Sequence, residues 1–501
     1  MRSRLLVSQR SNRGRVIQLT HLEVQTGLFI NNEFVEAKEN STINLDNPAT
    51  GSHLATVSTA QVEDVDKAVA AAQVAFRATW RTTLPRQRRN LLNKLADLIE
   101  RDAAVFASLE ALDAGILYRD SVGMHVPAAV ETLRYYAGWA DKVDGESVQL
   151  PSGFGYTRRE PFGVCAAIVP WNSPLMVTSW KLAPAIATGN CLIIKTPELS
   201  PLYGQKLAEL VVEAGFPPGV ISVLCGLGHV AGQRLAEHPD VWKLSFTGSP
   251  PVGRQILATA ARTNLKKVTL ELGGKGPSIV FSDADFENAL MWTSAGITVN
   301  NGQICAAGSR IYVQDTIYDK FVAEFSARTR DAVAGDPLLS ETTKGPMISK
   351  TQKDRVMSYI QKAQDEKLSL LHGGANEPGN FVPNTAFVDV GEDSIIMREE
   401  IFGPVASIAR FKTEEEVIHL ANNTTYGLAS AVFTNDISKA VRVSDALESG
   451  QVTINMWGAV DANTAFGGYK ESGVGRDLGK EALDGWTQVK AVKINVLAPK
   501  V

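Results

Sequence analysis

The chain has no apolar run approaching the roughly 18–20 residues that cross a bilayer, so a helical membrane protein is excluded. It has no excess of positive charge. Fifty Lys and Arg stand against 54 Asp and Glu, a formal net charge of −4, and a nucleic-acid surface would need a basic patch instead. Cysteine is scarce. The four residues Cys165, Cys191, Cys225 and Cys305 fit neither a zinc pattern nor a dense disulfide framework. No metal site is expected, and a reducing compartment, the cytoplasm, is the natural setting. Internal repeats and low-complexity linkers are missing too. Acidic residues are absent before Glu23, while Arg2, Arg4, Arg10, Arg13 and Arg15 fall within the first 22 positions. That composition fits a mitochondrial transit peptide or a disordered basic tail. Its weak amphipathic periodicity favours the tail, so residues 1–24 are expected to be a structureless extension.

What is present points to a large soluble protein with more than one core. At 501 residues and 44% hydrophobic, the chain exceeds one ordinary domain, so two large domains are expected. Residues 27–36, GLFINNEFVE, read as two short strands about an Asn-Asn turn. Helical periodicity follows at about 62–79, 86–113 and 122–140. Short apolar runs then appear at 164–169, 191–194, 220–224, 243–246 and 267–271, separated by stretches of helical length at 175–187 and 202–213. Strands alternating with helices predict a parallel sheet covered on both faces. A second alternating series has strands at 278–281, 310–313, 405–411, 429–433 and 451–455, with helices at 317–332, 352–366 and 437–447. The boundary falls near Gly273-Gly274. Residues 488–496 read as a strand that, with 145–160, could form a small sheet extension for subunit contact.

Ligands of such sheets sit beyond the carboxyl ends of the strands. Three cysteines, at 165, 191 and 225, are embedded in apolar runs, where cysteine acts as a small hydrophobe. Cys305 differs, lying in NNGQICAAGSR just after a helical stretch. Small neighbours leave its sulfur approachable. A nucleophilic thiol needs that, with a lowered pKa; a plain loop cysteine is the alternative. Glu271 ends a strand ahead of Gly273-Gly274 and is either a general base or a surface carboxylate. Asn172, held between Pro170 and Pro174, is either an oxyanion donor or a turn residue. FTGSPPVG, residues 246–253, opens a helix after a strand, as a phosphate site does. Lys195 and Glu198 in KTPE could grip ribose hydroxyls or form an exposed charged loop. Residues 400–404, EIFGP, could face a cofactor across a cleft or simply be a loop.

PWN, KTPE, FTGS, ELGGK, GQIC, EEIFGP, NNTTYGL and AFGGYKESG, in this order from about residue 27 to the end, resemble the aldehyde dehydrogenase superfamily of the NAD(P)-dependent, hydrolytic type. The resemblance implies an α/β fold: a Rossmann-like cofactor domain (25–144 and 162–273), an α/β catalytic domain (274–473) and oligomerisation strands (145–161 and 486–501). It implies that Cys305 is the nucleophile, Asn172 the oxyanion donor and Glu271 the base that activates water. Lys195 and Glu198 would hold the adenosine ribose. Ser249, with Gly248 and Gly253, would meet the pyrophosphate, Glu400 the second ribose, and Phe402 and Trp171 the nicotinamide region. Pro250-Pro251 replaces the usual threonine-containing turn, and Thr196 stands where small residues or proline are common. Glu198 should repel a 2′-phosphate, so NAD is expected, with NADP as the second candidate. Members are usually homodimers or homotetramers.

The resemblance also places Ser173, Met176, Trp180, Ile304, Ala306, Trp457, Val460 and Phe466 along an aldehyde tunnel. Ser173 is small where an aromatic ring is common, which suggests a bulky aliphatic or aromatic aldehyde. Asp461 near the mouth could favour a cationic one, so an amino-aldehyde or semialdehyde specificity is an alternative. A CoA-acylating enzyme is another, and it would not need Glu271. A non-catalytic relative would have lost Cys305 or Glu271, and an esterase would use the same cysteine without cofactor.

Overall fold

Five short segments rich in aliphatic side chains build one parallel layer. In a computed structural model, which describes residues 2–10 and 16–497, strands Val164–Ile168, Cys191–Thr196, Ile221–Cys225, Lys243–Thr247 and Lys267–Glu271 pair side by side. They run parallel in the spatial order 267–271, 243–247, 164–168, 191–196, 221–225. Almost every residue in them is buried, as expected of parallel strands covered on both faces. The strand Leu28–Ile30, with its hairpin partner Glu33–Val35, adds antiparallel to one edge. Asn31 and Asn32 make the turn between them in left-handed geometry, at φ 56° and 64°, which asparagine tolerates better than most residues. At the other edge the two-residue strand Gly473–Val474 returns to pair with Lys267–Glu271.

The chain order of this sheet reverses beside Val164–Ile168. Successive strands step away on one side through 191–196 and 221–225, then resume on the other at 243–247. Such a switch opens a crevice past the carboxyl ends of the two diverging strands, where α/β sheets bind ligands. Those ends lead into Pro170-Trp171-Asn172 and Gly248-Ser249.

The second sheet is ordered 369–372, 385–388, 405–411, 310–314, 277–280, 429–433, 451–454 and is parallel except for its first pair. Its helices include Phe286–Thr298, Lys350–Asp365 and Ile437–Ala446. A third sheet joins Thr487–Asn495, Gly153–Pro161 and Ser147–Leu150 antiparallel. The fold is therefore α/β, with two parallel sheets and a small β extension. No helix among the described residues is long and apolar enough to cross a membrane.

Two expectations are corrected. The stretch at 86–113 is not one helix. It breaks at Asp102 into Pro85–Arg101 and Ala103–Asp113, where Arg101 and Lys206 hold the Asp102 carboxylate at 2.8 and 3.0 Å. The basic N-terminal segment is not structureless either. Arg2–Arg10 and Val16–Gln25 form an antiparallel ladder, anchored where Leu5 and Val24 bury against Leu45, Val57, Leu109 and Leu202. Arg13 and Arg15 lie outside the described residues, as do 498–501 of the expected final strand segment.

Candidate active site

The crevice at the switch point is one cavity of about 770 Å³. Helix Pro174–Ala187 starts at its floor, with Pro174 at the first helical position and Ser173 before it. A proline there needs no N–H partner and pre-sets the helical φ, so the PWN turn is held rigid. Asn172 is buried. Its Nδ2 donates to the Gln303 carbonyl at 2.8 Å, and its own carbonyl accepts from Asn300 Nδ2 at 2.9 Å and Ser173 Oγ at 2.8 Å. One amide hydrogen is thus committed and the plane fixed, which leaves the second hydrogen for a ligand.

Asn300 and Asn301 have φ of 46° and 55°. The tight bend they make carries the chain from helix Phe286–Thr298 into the Cys305 loop. Asn301 pins the bend by donating from Nδ2 to the Gly345 carbonyl at 2.9 Å and the Pro346 carbonyl at 3.0 Å. Gln303 ties it further, accepting the Ile348 N–H at 3.1 Å. Cys305 is half-buried and lines the cavity. Burial, then the charges of Glu400 and Glu271, push its thiol up to about 12. That reverses the lowered pKa expected of a nucleophile: with two carboxylates for neighbours, the thiol holds its proton until a base takes it.

Glu271 is no surface carboxylate. It is 3% exposed and lines the same cavity, and neither oxygen has a hydrogen-bond partner among the described residues. Burial and then the charge of Asp477 hold its carboxyl well above the usual range, opposed by Lys181 and Arg476. Asp477 is itself tied to Lys181 in a fully buried ion pair. Sequence reading missed that pair. The signal was there, since Lys181 is the lone charged side chain in the apolar helix PLMVTSWKLAPAIA.

The glycines of ELGGK are explained by what they touch. A Cβ on Gly273 would strike the Glu400 carboxylate, and one on Gly274 would sit 2.5 Å from the Cys305 carbonyl. Removing both side chains lets three separate motifs meet. Glu400 accepts the Gly274 N–H at 3.0 Å, and burial raises its carboxyl to about 7. Phe402, at φ 59°, packs edge-on to Trp171 with ring centroids 5.3 Å apart.

Gly248 and Ser249 line the cavity. Ser249 precedes helix Pro250–Arg262 and makes no side-chain cap bond. Pro250 and Pro251 have no N–H, and the Gly253 N–H already donates to the Ser249 carbonyl at 3.0 Å. Hence the Val252 N–H and the Ser249 hydroxyl are the donors this helix start offers an anion. Gly253 is not in the cavity wall. A Cβ there would meet Leu272 at 2.8 Å, so this glycine lets helix and sheet pack closely. Lys195 and Glu198 also lie outside the wall. They form an ion pair of 2.7 Å at the end of the adjoining strand Cys191–Thr196, with Lys195 in the strand and buried and Glu198 beyond it and partly exposed.

On the opposite side, Ser173, Met176, Trp180, Ile304, Ala306, Trp457, Val460 and Phe466 all line the cavity. Trp180 and Phe466 pack with centroids 4.9 Å apart, and Trp457 Nε1 donates to the Ala306 carbonyl at 2.9 Å. Asp461 is not in the wall; its carboxylate accepts the Asn463 N–H at 3.0 Å within its own turn. Trp292, Tyr426, Arg355 and His125 also line the cavity and were not singled out from sequence.

The sequence profile of the aldehyde dehydrogenase family matches residues 34–492. The chain belongs to the aldehyde dehydrogenase family. It is similar to an aldehyde dehydrogenase of Alternaria alternata, at 49% identity over 96% of this chain and 97% of the relative. It is similar also to the mitochondrial aldehyde dehydrogenase of Homo sapiens, at 47% identity over 94% and 92%. Among solved structures, an NAD+ complex of the Bacillus cereus aldehyde dehydrogenase superposes with a TM-score of 0.93 at 43% identity, covering 94% of this chain and 97% of that one. Membership makes this protein an oxidoreductase acting on aldehydes, and the cavity between its two parallel sheets is where aldehyde dehydrogenase chemistry is to be sought.

Proposed function

We propose that this aldehyde dehydrogenase oxidises an aldehyde to its carboxylic acid through a thiohemiacetal and then a thioester on Cys305, with NAD as the oxidant. One observation carries the reading: a thiol, a rigidly held amide and an orphaned buried carboxylate share one cavity at the switch point. The residues present fit a dinucleotide. Ser249 Oγ and the Val252 N–H suit a pyrophosphate, the Glu400 carboxylate suits ribose hydroxyls, and the Trp171–Phe402 pair offers an aromatic wall to a nicotinamide. When bound, that ring supplies the hydride acceptor.

The protein's own part is proton and charge management. Glu271 takes the Cys305 proton, and the thiolate attacks the aldehyde carbon. The oxyanion so formed is met by the free Asn172 amide hydrogen and the Cys305 backbone N–H. After oxidation, Glu271, having passed that first proton to solvent, removes a proton from the water that attacks the thioester, and Cys305 leaves as the thiolate while the acid is released. The orphaned carboxylate favours this hydrolytic course over acyl transfer to CoA. NADH formation across aliphatic, aromatic and amino aldehydes, with folded enzyme, tests the reading; silence across the panel opposes it.

Both shifted groups push the rate in one direction with pH. A base with a raised pKa is protonated and idle at lower pH and becomes competent as pH rises through that value. kcat is therefore expected to climb as pH rises above the usual carboxylate range, with the climb lost in Glu271→Gln. A flat profile in the parent enzyme would count against Glu271 as base.

Glu198 gives the cofactor preference. A 2′-phosphate beside its carboxylate meets like charge, so Glu198→Gln is expected to raise kcat/KM for NADP relative to NAD by about tenfold. An unchanged ratio in paired assays would remove Glu198 from that role. The apolar tunnel wall favours a bulky aliphatic or aromatic aldehyde. We assign subunit contact to the three-stranded sheet, where Val148, Phe154, Val489 and Ile494 are exposed, in a homodimer or homotetramer. The free thiols fit a cytoplasmic location.

A further inference from the structure

One buried polar cluster in the cavity wall has no part in the mechanism above. Ser121–His125 winds as a π-helical turn ahead of helix Val126–Trp139, a departure often found at functional positions. It carries Met124 and His125 into the wall, next to Asp120. Behind them lies Glu110, fully buried. Its Oε2 accepts from Ser121 Oγ at 2.6 Å and pairs with His125 Nδ1 at 3.0 Å, and its Oε1 accepts the Leu175 N–H at 3.1 Å. The cluster thus braces the start of the helix that bears Met176 and follows Asn172.

A ring hydrogen on Nδ1 serves Glu110 Oε2, and in the tautomer with no hydrogen on Nε2 that second nitrogen is an acceptor. That nitrogen hydrogen-bonds to no described residue, while the ring lines the cavity. Asp120, half-buried beside it, is a second acceptor, its carboxyl raised by burial. Arg119, its ion-pair partner at 3.6 Å, is not in the cavity wall. This stretch of wall therefore offers acceptors and no Lys or Arg side chain, set among Met124, Met176 and Trp180. A hydroxyl drawn into such a place loses water and needs a partner.

We propose that His125 reads the substrate: its Nε2 accepts a hydrogen bond from a hydroxyl at the far end of the aldehyde. The enzyme's substrates are then hydroxylated aldehydes rather than plain hydrocarbons or carboxylate-bearing semialdehydes. The inference rests on the aldehyde entering this cavity to reach Cys305, as in the reaction above.

The test uses ω-hydroxyalkanals of graded chain length, each beside its matched n-alkanal, with the full-length enzyme. At the length that reaches His125, the hydroxylated member is expected to show about tenfold higher kcat/KM, carried by KM. His125→Leu is expected to erase or invert that ratio. A bracing role alone would slow both members together and leave the ratio alone. Equal efficiency of the two members at every length, or an advantage that survives His125→Leu, overturns the proposal. Should the variant fail to fold, the parent enzyme's ratio still decides. Turnover of both members at equal efficiency sinks only the His125 assignment, whereas no NADH from either sinks the reaction itself.

Discussion

Replacing Cys305 by alanine is expected to lower NADH formation by about a thousandfold or more, with the fold and cofactor affinity retained. The side chain is half-buried at the cavity wall among Met176, Ala306, Val460 and Phe466. Truncation by one sulfur atom leaves a small apolar gap and no unpaired polar group, so the protein should melt close to its parent. The other three cysteines cannot substitute. Cys165, Cys191 and Cys225 lie fully buried in the strands of the first sheet, and burial raises each thiol. Steady-state rates for Cys305→Ala and a Cys165→Ala control separate the two classes. Substantial aldehyde-dependent NADH from Cys305→Ala would remove the nucleophile from the account.

The second large effect belongs to Glu271. Glu271→Gln keeps the shape but cannot take a proton, so steady-state kcat is expected to fall by about a hundredfold to ten-thousandfold. Burial disfavours the charged form here, and the amide removes that charge, so stability should hold or rise. What distinguishes a base from a structural carboxylate is the step that fails. Loss of water activation should leave one rapid equivalent of NADH followed by near-silence, measured by stopped-flow. Since Glu271 is also asked to unload the Cys305 thiol, that burst should slow at neutral pH and recover as pH rises. A variant with parental turnover would show that another group deprotonates the water.

Much of the fold was legible because its parallel strands are short, aliphatic and punctuated. Lys267–Glu271, Val405–Phe411 and Ala429–Phe433 begin and end where the apolar runs do. The strands Thr42–Asp46 and His53–Ser58 were not legible: they mix polar and apolar residues and form an isolated two-stranded pair. The N-terminal ladder escaped because arginine-rich composition outweighs two apolar anchors, Leu5 and Val24. At the break, Asp102 pairs with Lys206, more than a hundred residues away.

The candidate site divides in the same way. Cys305, Asn172 and Glu271 stood out as residues following strands or a helix, and the structure gathers all three around one cavity. Their electrostatics did not stand out. The Glu271 carboxyl is raised by burial and by Asp477 and opposed by Lys181, both from distant segments, and the Cys305 thiol is raised by burial and then by Glu400 and Glu271. The Glu110–His125 pairing likewise exists only once two helices are packed. Sequence named the residues that react; the groups that tune them are tertiary.

The central claim is a covalent acyl intermediate on Cys305 that waits for Glu271. Its most direct measurement is acid-quenched peptide mass mapping of Glu271→Gln after mixing with NAD and an aldehyde. The account predicts one acyl group per chain, its mass set by the aldehyde used, on the peptide containing Cys305 and absent when NAD is omitted. An enzyme that forms an equivalent of NADH yet carries no acyl group on that peptide would contradict it.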